Sequence, residues 1–278
     1  MNENSSAPET ARLPGKADSA VLVRRERDAR GAVTLTLNRP DALNALSAEL
    51  LAALQSELDA LADDASARVL VLAGAGRAFC VGHDLKELRA TPSTSYYQRL
   101  FGQCTRTMLT LRRLPIPVIA RVQGVATAAG CQLVAQCDLA VASSEARFAV
   151  SGVKLGLFCS TPAVPLSRNL SAKHAFEMLM TGEFIDAAEA RARGLVNRVV
   201  PPERLDAEVE KLVAQIIAKP RVAIALGKEL FYRQAELGLE AAYERATQTI
   251  ACNMMDQVAL EGVQAFLEKR PPRWSLPL

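Results

Sequence analysis

Two stretches constrain this chain more than any others: residues 74–88, GAGRAFCVGHDLKEL, and residues 122–143, VQGVATAAGCQLVAQCDLAVAS. In each, an apolar strand-like run gives way to small residues and then to a helix-like segment. Small residues at such a turn allow bare backbone N–H groups to stand free. A helix that starts there adds a field favourable to negative charge. Two turns of this kind facing each other would form a hole for a developing oxyanion, which is what chemistry at a carbonyl requires.

The rest of the chain supports an α/β frame around these turns. Residues 20–25 and 32–37 read as strands joined by a turn at 28–31, and Pro40 then breaks the chain. Ser47 is placed to cap a helix running to Leu61, with Leu50, Leu51, Leu54, Leu58 and Leu61 at helical spacing. Residues 68–73 and 118–122 are apolar strands, separated by a helix over 93–114 that Pro115 and Pro117 end. Short strands follow at 139–142 and 147–150. This alternation predicts an α/β fold whose sheet is covered on both faces. From Pro162 onward the segments 171–180, 186–193, 203–218, 220–236, 239–251 and 256–268 all read helical. Leu205, Val209, Leu212, Val213, Ile216 and Ile217 trace one apolar face of the third of these.

Composition narrows the function classes. Half of the 278 residues are hydrophobic, ample for a large core, and the net charge of +3 is spread along the chain. Neither a nucleic-acid nor a membrane partner is expected. The six cysteines include no C-x-x-C pair and fit no zinc module, so they are expected to be buried reduced thiols. Only His83 and His174 are present, which excludes a histidine-rich metal site and leaves a Ser-His-Asp triad just two candidates. Residues 1–18 are polar and read as a disordered tail, without the apolar run of a secretory signal. Glu3, Glu9 and Asp18 do not suit a mitochondrial transit peptide. No segment has the apolar length of a membrane span, so a cytoplasmic location is expected.

GAGRAF at 74–79 is not a dinucleotide fingerprint, because Phe79 stands where the third glycine belongs and no helix begins at Gly74. The full string through Leu88 instead resembles the crotonase (enoyl-CoA hydratase/isomerase) superfamily, whose first motif reads roughly G-x-G-x-x-F-C/S-x-G-x-D-L/I-K-E. The second stretch is similar to that family's N-G-x-x-x-G-G-G-x-E-L-x-x-x-C-D. Within the family, ATAAGCQLVAQCD and GVKLGLFCSTP look closest to the subgroup called enoyl-CoA hydratase domain-containing protein three.

The resemblance implies a crotonase (ClpP-like) spiral of β-β-α units over residues 19–200, holding a CoA-thioester site. A C-terminal helical region over 201–278 would then mediate assembly into a homotrimer or a dimer of trimers. No separate cofactor is implied, coenzyme A being part of the acyl-CoA substrate. The N–H groups of His83 and Ala129 become the oxyanion donors. Asp84, Leu85 and Lys86 lie where the family contacts CoA, and Ala42 and Asn44 near its adenine end. Phe266 and Lys269 would reach CoA from a neighbouring subunit.

The resemblance departs at the chemistry. Hydratases of this family use two glutamates, one to activate water and one to protonate Cα. Here Gln132 and Gly152 stand at those positions. An amide can hold a water by hydrogen bonds but does not take its proton near neutral pH. Alanine at 128 and 129 keeps the N–H but disfavours positive φ. The implied activity is therefore enolate stabilisation with weak classical hydration. Two alternatives stand beside it: a non-catalytic acyl-CoA-binding or regulatory protein, and a different crotonase-type reaction using the His83 ring. Cys159, Ser160 and Thr161 fall near the acyl group, where Ser160 or Thr161 is expected to cap the helix at Pro162. Cys131 is expected in the core, and Asp138 in a structural role.

Overall fold

The computed structural model describes residues 21–90 and 92–274. The expected tail at 1–18 lies outside the described residues. Among the described residues are ten strands, β1 Val23–Arg27, β2 Ala32–Leu37, β3 Val69–Gly74, β4 Ala78–Cys80, β5 Val118–Val122, β6 Val125–Thr127, β7 Leu139–Ser143, β8 Arg147–Ala149, β9 Ile185–Asp186 and β10 Arg198–Val200. The helices are α1 Ala48–Ala62, α2 Leu85–Ala90, α3 Thr94–Arg113, α4 Ala129–Gln136, α5 Ser160–Asn169, α6 Ala172–Thr181, α7 Ala187–Ala192, α8 Leu205–Ile217, α9 Arg221–Gln234, α10 Leu239–Met254 and α11 Gln257–Leu267.

The strands form two sheets, ordered β1-β2-β3-β5-β7-β10 and β4-β6-β8-β9. Consecutive strands alternate between them: β3, β5 and β7 enter the large sheet, and β4, β6 and β8 follow each into the small one. The chain thus winds as a spiral, and each turn places the end of a small-sheet strand next to the previous one. Apart from the β1–β2 and β8–β9 edges, the pairings are parallel.

Parallel strands buried on both faces should be apolar throughout, and all six residues of β3 are buried. Leu70 and Leu72 face the main core with Leu50, Leu54 and Leu58 of α1. Val69 and Val71 face the opposite way, against Leu205, Val209, Leu212 and Val213 of α8. The two-residue period of a strand makes this division unavoidable. Helix α8 therefore covers the outer face of the large sheet, although it belongs to the all-helical end of the sequence.

Ser47 caps α1 by accepting from Leu50 N–H, and Ser93 caps α3 by accepting from Tyr96 N–H. The first strand begins at Val23 rather than at residue 20. Its last four residues are exposed at the sheet edge, so apolar patterning could not register it. No helix among the described residues is long and apolar enough to cross a membrane.

Candidate active site

The spiral brings the two motif turns into contact. Strand β4 leads through Val81 to Gly82, at φ 90°. A Cβ on Gly82 would stand 2.8 Å from the Ala128 Cβ and 3.2 Å from the Ala129 nitrogen, so only glycine permits this approach. Leu46 donates to the Gly82 carbonyl at 2.8 Å, and Asp84 donates to the Leu46 carbonyl at 3.1 Å. These bonds bracket His83 and leave its own N–H without an acceptor among the described residues.

On the other side, Ala128 takes φ 50°, ψ −121°. Glycine dominates this conformation in tight turns, and holding another residue there costs of the order of 1–3 kcal/mol. Ala128 is fixed from both ends: its N–H donates to the Ala149 carbonyl, and its carbonyl accepts from Gln132 N–H, each at 3.0 Å. The strain falls on Ala128 alone, because α4 begins at Ala129. As the first helical residue, Ala129 has no carbonyl one turn back to receive its N–H. Two unpartnered N–H groups, the second at a helix start, therefore belong to one place.

That place is a cavity of about 340 Å³. It is lined by His83, Leu85, Ala129 and Gly152 of the sequence-derived candidates, and by Cys159, Ser160 and Thr161. Gln132 is not in its lining but lies three residues beyond Ala129 in α4, and so shares its helical face. Gln132 is 3% exposed, and its Oε1 has no partner among the described residues. A buried acceptor in that state costs about 1–3 kcal/mol unless water or a ligand supplies a donor.

His83 lines the same cavity, and both of its ring nitrogens are buried. Neither ring nitrogen has a hydrogen-bond partner among the described residues, and Phe101 packs edge-on at 5.1 Å. Burial lowers its pKa below the ordinary histidine value, with the Leu46 carbonyl and the Glu87 carboxylate opposing. Burial thereby favours the neutral form of the imidazole.

Gly152 and Cys159 are a matched pair. The Gly152 N–H donates to Cys159 Sγ at 3.3 Å. A Cβ on Gly152 would lie 2.7 Å from that sulfur and 2.7 Å from the Leu157 carbonyl. The space where any side chain would start is already filled. The expected cap is corrected here: Cys159 itself occupies the cap position of α5 and makes no side-chain cap bond. Ser160 is already inside the helix, and its hydroxyl donates to the Phe158 carbonyl. A hydroxyl pair that sequence reading missed, Thr127 Oγ1 and Ser151 Oγ at 3.1 Å, borders the cavity through Ser151. Phe101 was missed too, since nothing in a helix pattern marks which partly buried aromatic faces a cavity.

The remaining candidates stand apart from the cavity. Asn44 is fully buried, its amide donating to the carbonyls of Ala75, Ala78 and Phe79 and accepting from Arg39 N–H. In this structure it clamps the loop carrying Ala42 onto the first motif. Asp84 caps the start of α2. Burial would raise its carboxyl, but Arg39 at 3.0 Å and the N–H groups of Glu87 and Lys86 hold it below the usual carboxylate value. Lys86 is exposed on α2. Phe266, 83% exposed on α11, and Lys269, just beyond that helix, are on the surface away from the cavity lining. Five cysteines are buried as expected, and burial pushes the Cys80, Cys104 and Cys131 thiols up to about 12. Cys252 departs from that expectation and is exposed on α10.

A family model described as enoyl-CoA hydratase/isomerase matches residues 27–276. The chain belongs to the enoyl-CoA hydratase/isomerase family. Human enoyl-CoA hydratase domain-containing protein 3, mitochondrial, is 42% identical over 95% of this chain and 91% of its own. The crystal structure of that human protein superposes with a TM-score of 0.88, covering 91% of this chain and all of the other. An enoyl-CoA hydratase from Mycobacterium smegmatis superposes with a TM-score of 0.91 at 63% identity, over 92% of this chain and 99% of the other.

Family membership accounts for the spiral and for the two motif turns meeting at a cavity. It also overturns the expected cytoplasmic location: the human, mouse and rat relatives, each 42% identical, are named mitochondrial. Buried reduced thiols carry no compartment signal, because reducing conditions are not confined to the cytosol.

Proposed function

We propose that this protein binds an acyl-CoA thioester with the carbonyl oxygen between the N–H groups of His83 and Ala129, where it stabilises the derived enolate. The observation that carries this reading is the meeting of those two unpartnered N–H groups in one cavity, with Gly82 as their point of contact. One donor of this kind is worth about 3–4 kcal/mol to a transition state that carries charge on oxygen. Leu85 at the mouth and the exposed Lys86 next to it in α2, with the backbone around Ala42, Asn44 and Asp84, would receive the CoA moiety. Enoyl-CoA hydratase appears in the names of relatives and neighbours, which supports the substrate class.

The classical hydration step is expected to be weak. Gln132 holds no proton-accepting group, and Gly152 has neither a side chain nor room for one. Each missing acid/base group costs ~10²–10⁴ in rate. Titration with crotonyl-CoA, followed both by calorimetry and by loss of the enoyl absorbance, separates binding from turnover. Binding with turnover at least a thousandfold below an ordinary hydratase is expected. Turnover within tenfold of one would refute the reading of Gln132 and Gly152.

A second reading has its own observation. The unpartnered His83 ring in the cavity is the one group there able to carry a proton near neutral pH. It would serve a crotonase-type reaction other than hydration. If no thioester turns over, the protein is an acyl-CoA-binding or regulatory module.

Assembly into a trimer or a dimer of trimers belongs to the same proposal. Phe231, Leu239, Tyr243, Met255, Phe266 and Leu267 on the C-terminal helices are all more than 60% exposed, more large apolar side chain than a solvated helical end needs. Light scattering after gel filtration should give three or six times the 29.9 kDa chain mass. A monomer at micromolar concentration would also remove Phe266 and Lys269 from any role in a neighbouring subunit's site.

A further inference from the structure

His83 is not the only acid or base at the cavity. Cys159 lines it too, as does Gly152, which the Cys159 sulfur touches. Sγ accepts from Gly152 N–H at 3.3 Å and, among the described residues, makes no other hydrogen bond. A Cβ on Gly152 would lie 2.7 Å from it, so the sulfur stands where a side chain at residue 152 would begin. Cys159 also precedes α5 as Ala128 precedes α4. The two helices run side by side in one direction. Both starts line the cavity, and at the far ends Asn169 donates to the Ala135 carbonyl at 2.8 Å. Two helix starts at one cavity make a field that favours negative charge. The thiol does not stand alone there: His83, both ring nitrogens buried and without partners among the described residues, borders the same space.

Burial raises the Cys159 thiol above its ordinary value, with the Gly152 N–H opposing, so the thiol keeps its proton at neutral pH. A catalytic base must titrate near the working pH. A donor to carbon need only hold its proton until a stronger base arrives, and an enolate carbon is a far stronger base than a thiolate. The hydroxyls of Ser151, Ser160 and Thr161 border the cavity as well, but an alcohol is a much weaker acid than a thiol. We propose that the Cys159 thiol is the catalytic acid that delivers a proton to Cα of the enolate formed from a bound acyl-CoA. This deepens the acyl-CoA reading above and rests on it. The cycle balances without an oxidant or co-reactant. His83 takes a proton from Cα, and the C–H electron pair moves onto the carbonyl oxygen between the two N–H groups. That pair returns to Cα as the S–H bond breaks and a new C–H bond forms. The thiolate left at the start of α5 regains a proton from the imidazolium through solvent. In D₂O the net change is deuterium for hydrogen at Cα.

The test is Cα exchange of butyryl-CoA by the full chain in D₂O, followed by the α-CH₂ proton signal and by mass, with Kd from calorimetry. The wild type is expected to exchange. Cys159→Ser and Cys159→Ala should slow exchange by roughly 10²–10⁴ and leave Kd within about threefold. Serine is the telling variant, because its oxygen still offers the Gly152 N–H an acceptor. A packing role predicts rescue by serine, and exchange within about tenfold of wild type there would overturn the proposal. Binding without exchange in the wild type would overturn it too and leave the acyl-CoA reading intact. Failure of butyryl-CoA to bind would overturn the acyl-CoA reading itself. Methyl methanethiosulfonate gives an arm that needs no variant. Once the exposed Cys252 of the wild type is fully modified, peptide mass should show Cys159 modified as well, with exchange lost and then restored by dithiothreitol. A Cys159 that stays unmodified, or that is modified while exchange continues, would overturn the proposal.

Discussion

Replacing His83 by alanine is expected to lower turnover of a productive acyl-CoA by roughly 10²–10⁴ while leaving its Kd nearly unchanged. The side chain is the only imidazole in the cavity, and neither of its nitrogens is committed elsewhere. A backbone donor survives the substitution, so the oxyanion contact at residue 83 is retained, and only the proton carrier is lost. The pH profile separates these roles. A base must be neutral to act, so the rate should climb as pH rises through the His83 pKa. Burial lowers that pKa below its ordinary value of 6.5, which places the ascending limb on the acid side of 6.5 and leaves the rate flat from pH 7 to 8. The limb should vanish in the alanine variant. Equal rates for the two proteins across this range would take the ring out of the mechanism and leave the backbone N–H as the whole contribution of residue 83.

Removing Lys228 is expected to destabilise the fold by about 3–5 kcal/mol, the usual result of stripping one partner from a buried ion pair. Lys228 is 9% exposed, and its Nζ donates to the Leu111 and Ile116 carbonyls at 3.0 and 2.9 Å and to Asp138 at 2.6 Å. Asp138 also accepts from Val118 N–H and from the Tyr232 hydroxyl. The guanidinium of Arg112 lies over the Tyr232 ring at 4.2 Å. Helix α9 is thereby tied to the end of α3, to β5 and to the turn just past α4, the helix that presents Ala129. Lys228→Ala leaves a buried carboxylate and two carbonyls without their cation, and a fall in melting temperature of the order of 10 °C is expected in thermal unfolding. The double variant Lys228→Met/Asp138→Asn should recover a large part of the loss, because the uncompensated charge is gone while Val118 keeps an acceptor. A Lys228→Ala protein within 1 kcal/mol of wild type would show that α9 is held by its apolar contacts alone.

The fold was legible wherever local chemistry acts alone. Ser47 caps its helix as expected, and Pro115 follows the end of α3. The apolar runs at Val69–Gly74, Val118–Val122 and Leu139–Ser143 are strands because no other regular element buries so short a run on both faces. Strand β8 was read at 147–150, but the exposed edge of β1, the other two- and three-residue strands of the small sheet (β4, β6 and β9) and the cap of α5 were not legible. Each depends on a partner distant in sequence: β4, for example, exists through its pairing with β6.

For the site, the sequence by itself determined which chemistry is available: two glycine- or alanine-bearing turns, one nearby histidine, and glutamine and glycine at residues 132 and 152. Those are matters of residue type, and folding does not change them. Tertiary structure decided how that chemistry is used. It set the strained Ala128 so that α4 starts at Ala129, closed Gly82 against it, and buried both ring nitrogens of His83. It also drew Asn44 and Asp84 into internal bonds, and filled the space beside Gly152 with the sulfur of Cys159. The physical reason is that a side chain's direction, burial and unpaired hydrogen bonds depend on what the spiral packs against it, and that packing partner lies tens of residues away along the chain.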